Sequence, residues 1–326
     1  MKKLLSGMIF GFFLLQGVYL GVPADLAAAD FPSKNFSWYV GYSPGGGFDT
    51  YSRALAKYMQ KYLPAKVNIV ILNRPGAASQ EAAATVYNAK PDGYTLGIWP
   101  MPGLYVPQVF FSPKYDVKKV TWYGTVLVEP MVLAISPKSP YRTVKDLQQA
   151  QNVRVALTGF SGPEVVVPIT METLGIKAQF ITGHKGSGEA MLAAVRGDAD
   201  AVIYTFGSIR KLLISKELLP VLLMGDKARD PEIPDTPTAT EAGYAELDEA
   251  VAAWRVIGGP PNMPPDRMKY MRDLLWKTMN DKDFREWSEK SKRPVNAMTG
   301  EQTEAALAKV LNRYDSYKPL FEKYIK

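Results

Sequence analysis

Side chains able to do covalent chemistry are scarce in this sequence. It has no cysteine and a single histidine, His184. That removes thiol nucleophiles, disulfide frameworks, iron–sulfur clusters, zinc ribbons and histidine-rich metal sites. One arrangement for nucleophilic catalysis survives, Ser161 with His184. Gly159-Phe160-Ser161-Gly162 resembles a nucleophile elbow, yet that motif needs glycine at position 163, where Pro163 stands. Lys185, next to His184, disfavours protonation of the imidazole and so hinders a base from taking up a proton. A secreted serine hydrolase using Ser161 and His184 is therefore kept only as the alternative. Nucleotide sites fail as well. Thr50 stands where a G-x-G-x-x-G fingerprint needs its third glycine, and no lysine follows the glycines at P-loop spacing. No metal and no cofactor is expected.

What recurs instead is an apolar run leading into a glycine-rich loop that opens a helix. Residues 43–49 give the clearest case, 159–163 and 183–188 share the pattern, and 73–79 is a weaker fourth. Glycine lets backbone N–H groups approach a ligand closely, and a helix N-terminus adds unsatisfied donors with partial positive charge. Several such termini converging would bind a small anion, a carboxylate or a phosphate. The plainer alternative is that each glycine only makes a tight turn. Phe48, Trp99, Met101, Tyr105, Phe160 and Tyr204 lie in or just after expected strand ends. About half of these should be core, and the rest would wall the cleft. Met101 and Tyr204 are counted with the site.

The elements that must position these loops follow from periodicity. Strands are expected at 38–42, 67–72, 95–99, 126–135, 153–158, 178–182, 199–205 and 251–257. Helices are expected at 50–63, with Asp49 as its N-cap, and at 80–88, 143–150, 164–174, 189–196, 265–279, 283–290 and 302–317. Pro168 should kink the helix at 164–174 or delay its start. Strand alternating with helix implies an α/β fold, a parallel sheet with crossover helices and ligand loops at the carboxyl ends of the strands.

At 326 residues, 47% hydrophobic and 11% aromatic, the chain is a folded protein large enough for two domains. Residues 1–29 read as a cleaved signal peptide: Lys2 and Lys3, an apolar run, then Ala27-Ala28-Ala29. The formal charge of +7 is scattered along the chain, and the basic stretch 285–293 is interleaved with Glu286 and Glu289. That excludes a nucleic-acid footprint and leaves a mild attraction for anions.

Four ordered motifs then carry a resemblance: Tyr42-Ser-Pro-Gly-Gly-Gly-Phe-Asp-Thr50, Asn73-Arg-Pro-Gly-Ala77, Lys90-Pro-Asp-Gly-Tyr-Thr-Leu96 and Asp235-Thr-Pro-Thr-Ala-Thr-Glu-Ala-Gly-Tyr244. From about Trp38 onward the chain is similar to the Bug-type substrate-binding proteins of tripartite tricarboxylate transporters. The resemblance implies a two-lobed, type II Venus-flytrap fold of periplasmic-binding-protein class. Lobe one would comprise 30–131 with 251–326, and lobe two 132–250. It further implies a periplasmic monomer that binds a di- or tricarboxylate or an aromatic acid and delivers it to integral-membrane permease subunits. Carried over by motif, lobe-one contacts fall on Ser43, Gly45, Gly46, Gly47, Phe48, Asp49, Thr50, Gly76, Ala77, Ala78 and Ser79. Lobe-two contacts fall on Thr158, Gly159, Phe160, Ser161, Gly162, Gly183, His184 and Lys185. Two positions depart from the family pattern: Pro163-Glu164 where a serine/glycine-rich loop with a histidine is usual, and His184 where an aromatic is usual. Glu164 would repel a second carboxylate or hydrogen-bond a hydroxyl or amino group on the ligand.

Overall fold

The computed structural model describes residues 31–160, 162–184 and 186–325. The expected signal peptide, Ser161 and Lys185 lie outside the described residues. From the amino end, β1 (Phe36–Val40) leads into α1 (Gly47–Met59), β2 (Ile69–Asn73) into α2 (Gln80–Tyr87), and β3 (Thr95–Met101) into α3 (Tyr105–Phe111). The long β4 (Thr121–Ile135) follows, then α4 (Val144–Gln149), β5 (Val153–Ala156), α5 (Val166–Thr173), β6 (Ala178–Ile181), α6 (Ser187–Arg196), β7 (Ala201–Thr205), α7 (Phe206–Ile214) and β8 (Leu219–Met224). The rest is α8 (Ala245–Ala250), β9 (Ala252–Gly259), α9 (Pro265–Met279), α10 (Lys282–Lys290), β10 (Met298–Thr299), α11 (Gly300–Ser316) and α12 (Lys318–Ile325).

The strands lie in the order β2-β1-β3-β9-β4-β7-β5-β6, with β8 and β10 also paired to β4. Two parallel groups flank an antiparallel centre. In the first, β1 is parallel to β2 and β3; in the second, β5 is parallel to β6 and β7. Between them β9 runs antiparallel to β3 and β4. The sheet is thus mixed, not wholly parallel. β4 belongs to both groups: Thr121 to Pro130 face β9, and Met131 to Ile135 face β7 and β8. Flanked on both sides, β4 has thirteen-odd buried positions in a near-continuous apolar run, as a central strand requires.

Local chemistry explains the elements. In α1 the buried Tyr51, Leu55 and Met59 repeat every four residues and face the core beside Trp38 and Leu274. Thr143 caps α4 in a reciprocal box with Asp146. Pro168 does delay α5: a 3-10 turn, Gly162–Val165, comes first, and the proline falls in the first turn, where its missing N–H costs nothing. Not anticipated were α3, α7, β8, α8, β10 and α12. Pro220 masks β8 in the sequence. It is tolerated because it pairs with Ala134 where the β4–β8 register shifts. Among the described residues no helix is long and apolar enough to cross a membrane.

Candidate functional site

The carboxyl ends of five of the six parallel-group strands, β1, β2, β5, β6 and β7, deliver residues to one cavity of about 380 Å³. Tyr42, Phe48 and Ala78 reach it from the first strand group. Thr158, Gly162, Pro163, Glu164, Gly186, Ser187, Tyr204, Thr205 and Ser208 reach it from the second, with Met131 of β4 as the floor between. A mouth at converging strand ends is where open α/β sheets hold ligands. A larger hollow of about 670 Å³ lies elsewhere, against β9 and α11, and shares no residue with the glycine loops.

The first glycine loop is shaped by Asp49. Its buried carboxylate accepts from the Gly45 N–H at 2.9 Å, from Asn73 Nδ2 at 2.9 Å and from Arg53 Nε at 2.9 Å. Burial works to raise the Asp49 pKa, but the hydrogen bonds from Arg53, Gly45 and Asn73 outweigh it and hold the group below the usual carboxylate range. Asp49 is not the N-cap: α1 starts at Gly47, three residues before the expected start, with Gly46 as N-cap and no side-chain cap bond. Phe48 projects into the cavity and stacks on Tyr42 with ring centroids 4.7 Å apart.

The loop before α2 carries three consecutive residues in the left-handed region, Ala77, Ala78 and Ser79, with φ of 44°, 51° and 81°. Such a run is costly for residues with a Cβ and is kept where the fold fixes it. Of the three, Ala78 lines the cavity.

In the second group Glu164 is 5% exposed and lines the cavity. The Thr158 N–H donates to both of its oxygens at 3.2 Å, and the hydroxyls of Thr158 and Tyr204 also donate to it. Burial first, and then Glu164, push the Tyr204 pKa up, so the phenol keeps its proton and remains a donor. The Tyr42 hydroxyl is a buried atom with no hydrogen-bond partner among the described residues, and its pKa too is raised by burial. α6 begins at Ser187 with Gly186 as N-cap and no side-chain cap bond, and both residues line the cavity, so its uncapped end lies beside it.

Of the residues read from sequence, Phe48, Ala78, Thr158, Gly162 and Tyr204 therefore meet at the cavity. Ser43, Gly45, Gly46, Gly47, Asp49 and Thr50 form and brace the loop behind Phe48. Gly76, Ala77 and Ser79 flank Ala78. Met101 is core, at 2% exposure, together with Trp99 and Tyr105. Phe160 packs on Phe180 and Tyr324, with centroids 5.4 and 6.1 Å away, outside the cavity lining. Gly159, Gly183 and His184 are not among the lining residues. Sequence reasoning did not assign Tyr42, Met131, Pro163, Glu164, Gly186, Ser187, Thr205 or Ser208 to the site. Four of these adjoin assigned positions in the same loops. Thr205 and Ser208 were signalled by a fifth strand-to-helix junction, β7 to α7, whose single Gly207 left it unnoticed.

Known proteins resemble the chain over most of its length. BugT of Bordetella pertussis (strain Tohama I) is 24% identical over 335 residues, covering 96% of each chain. A solute-binding protein from Polaromonas superposes with a TM-score of 0.73 at 22% identity, covering 90% of this chain and 99% of that one. MatC from Rhodopseudomonas palustris, solved with bound malate, gives 0.69 at 22% identity, covering 89% and 99%. The fold is the mixed α/β fold of periplasmic binding proteins. The profile described as "Tripartite tricarboxylate transporter family receptor" matches residues 51–322. Those receptors bind solutes and are not enzymes, which sets aside a hydrolase built on Ser161 and His184. By that match the chain belongs to the tripartite tricarboxylate transporter receptor family.

Proposed function

We propose that this receptor works outside the cytoplasm, holding a small carboxylate-bearing solute in the 380 Å³ cavity and passing it to integral-membrane permease subunits. The observation that carries the reading is the convergence of loops from both strand groups on one cavity that includes the uncapped start of α6. Backbone donors of this kind suit a carboxylate, and malate in MatC is consistent with that class. In this reading 30–131 with 251–326 and 132–250 are two lobes that close by bending of β4 and β9, and the closed form is what the permease recognises. Export by way of residues 1–29 would place the protein in the periplasm as a monomer.

The test is a calorimetric and thermal-shift screen of mono-, di- and tricarboxylates and aromatic acids. A bound member at one hundred times its Kd should add about 2.7 kcal/mol of stability, raising Tm by several degrees. The solute should also be recovered unchanged. A screen in which no carboxylate shifts Tm or gives a binding isotherm would overturn the proposal.

A further inference from the structure

The cavity holds an acidic side chain in a place where a receptor for small anions would gain nothing from it. Glu164 comes from the 3-10 turn Gly162–Val165, is almost fully buried, and is fixed by Thr158 and Tyr204 through three donor groups. A carboxylate offers about four lone-pair positions, and the three protons cover them only because the Thr158 N–H is shared between both oxygens at 3.2 Å, so a fourth donor can replace half of that long, divided bond. Beside it in the same lining is the Tyr42 hydroxyl, buried and without a partner among the described residues. Tyr42 and Glu164 belong to different strand groups and meet across the cavity near Gly162, whose added Cβ would lie 3.6 Å from the Tyr42 hydroxyl. No lysine or arginine is among the described lining residues.

Resting on the carboxylate-receptor reading above, we propose that Glu164 sets specificity: the solute carries one carboxylate and, elsewhere, a hydrogen-bond donor (an ammonium, amide or hydroxyl) that bonds to Glu164. A second carboxylate brought against Glu164 meets a like charge where water cannot screen it. A donor there completes the bonding of a buried acceptor, and a site built that way rejects the analogue that lacks the donor. The free Tyr42 hydroxyl, which can accept as well as donate, supplies a second contact for the same group.

The test uses isosteric pairs on the full-length mature protein by titration calorimetry: malonate, succinate and glutarate, each against its monoamide and the ω-amino acid of matching length. At the chain length that fits, a donor-ended acid should bind at least about tenfold more tightly than the diacid. Glu164→Gln should shrink that ratio by about tenfold, chiefly by admitting the diacid. Equal or tighter binding of the diacid by wild type, absence of binding by every donor-ended acid, or an unchanged ratio in Glu164→Gln would overturn the proposal. The wild-type ratio decides alone should the variant fail to fold. Failure of the underlying carboxylate reading looks different: succinamide, which has no carboxylate, then binds as tightly as succinamate.

Discussion

At the scale of single residues, the site is organised by two buried acids that face different demands. Asp49 touches no cavity space, and its carboxylate is consumed by Gly45, Asn73 and Arg53. Removing it strands the Gly45 N–H and leaves Asn73 Nδ2 with the Tyr42 carbonyl alone at the base of the Phe48 loop. Asp49→Ala should therefore cost about 2 kcal/mol in urea denaturation at pH 7. Since the folded pKa lies below the unfolded one, this contribution is fully present above the unfolded value near 4. It is lost as pH falls through the folded pKa, so the gap between wild type and variant should close on acidification. A gap independent of pH between 7 and 3 would count against the assignment. The residue type was legible in sequence but its job was not. An acid near a helix start serves equally as cap or as first-turn charge, and only the backbone at Gly46 decides. Glu164 was harder still, because burying an acid requires donors, and one of them, Tyr204, comes from 40 residues away.

At the scale of elements, the glycine loops do more than present N–H groups. The turn after β3 touches the turn before α5: a Cβ on Gly103 would lie 2.3 Å from the Gly162 carbonyl oxygen. These are backbone atoms of the two strand groups, with no flexible side chain to yield, and Gly162 itself has φ of +60°. Gly103→Ala must push the turns apart. If solute binds the closed arrangement, the variant populates that state less, and affinity should drop about tenfold. Far-UV circular dichroism should be unchanged, and a small-angle scattering radius should be larger. Binding at wild-type strength would show that the contact is incidental. Strands ending in glycine loops were readable from sequence because apolar runs and turn residues are local signals. The Gly103 contact was not, since nothing near 103 marks position 162 as its neighbour. The antiparallel centre was likewise hidden, because the direction of β9 depends on a pairing with β3 from about 160 residues earlier.

At the scale of the whole molecule, the two strand groups are joined where β4 and β9 run side by side, and one ion pair lies at that junction. Glu129 on β4 and Arg255 on β9 are diagonal neighbours in the ladder, with side chains 7% and 11% exposed. Arg255 Nη1 donates to Glu129 Oε2, and the other carboxylate oxygen accepts the Gly207 N–H at the start of α7 at 2.8 Å. On its far side the guanidinium lies over the rings of Phe48 and Tyr51, at 5.0 and 5.3 Å. One connected set thus runs from a cavity-lining ring on α1 through the junction to the backbone of α7. Deleting the cation leaves Glu129 buried without its partner, so Arg255→Met should lower stability by about 3–5 kcal/mol. Arg255→Lys should recover little, because an ammonium cannot both bond the carboxylate and lie over two rings. Adding Glu129→Gln to Arg255→Met removes the unpaired acid and should restore most of the loss. Solute affinity should nonetheless stay weakened in the double variant, because the support beneath Phe48 is still gone. If affinity returned together with stability, the pair would be a strut alone; if stability returned without affinity, the junction also transmits the state of the cavity from one strand group to the other.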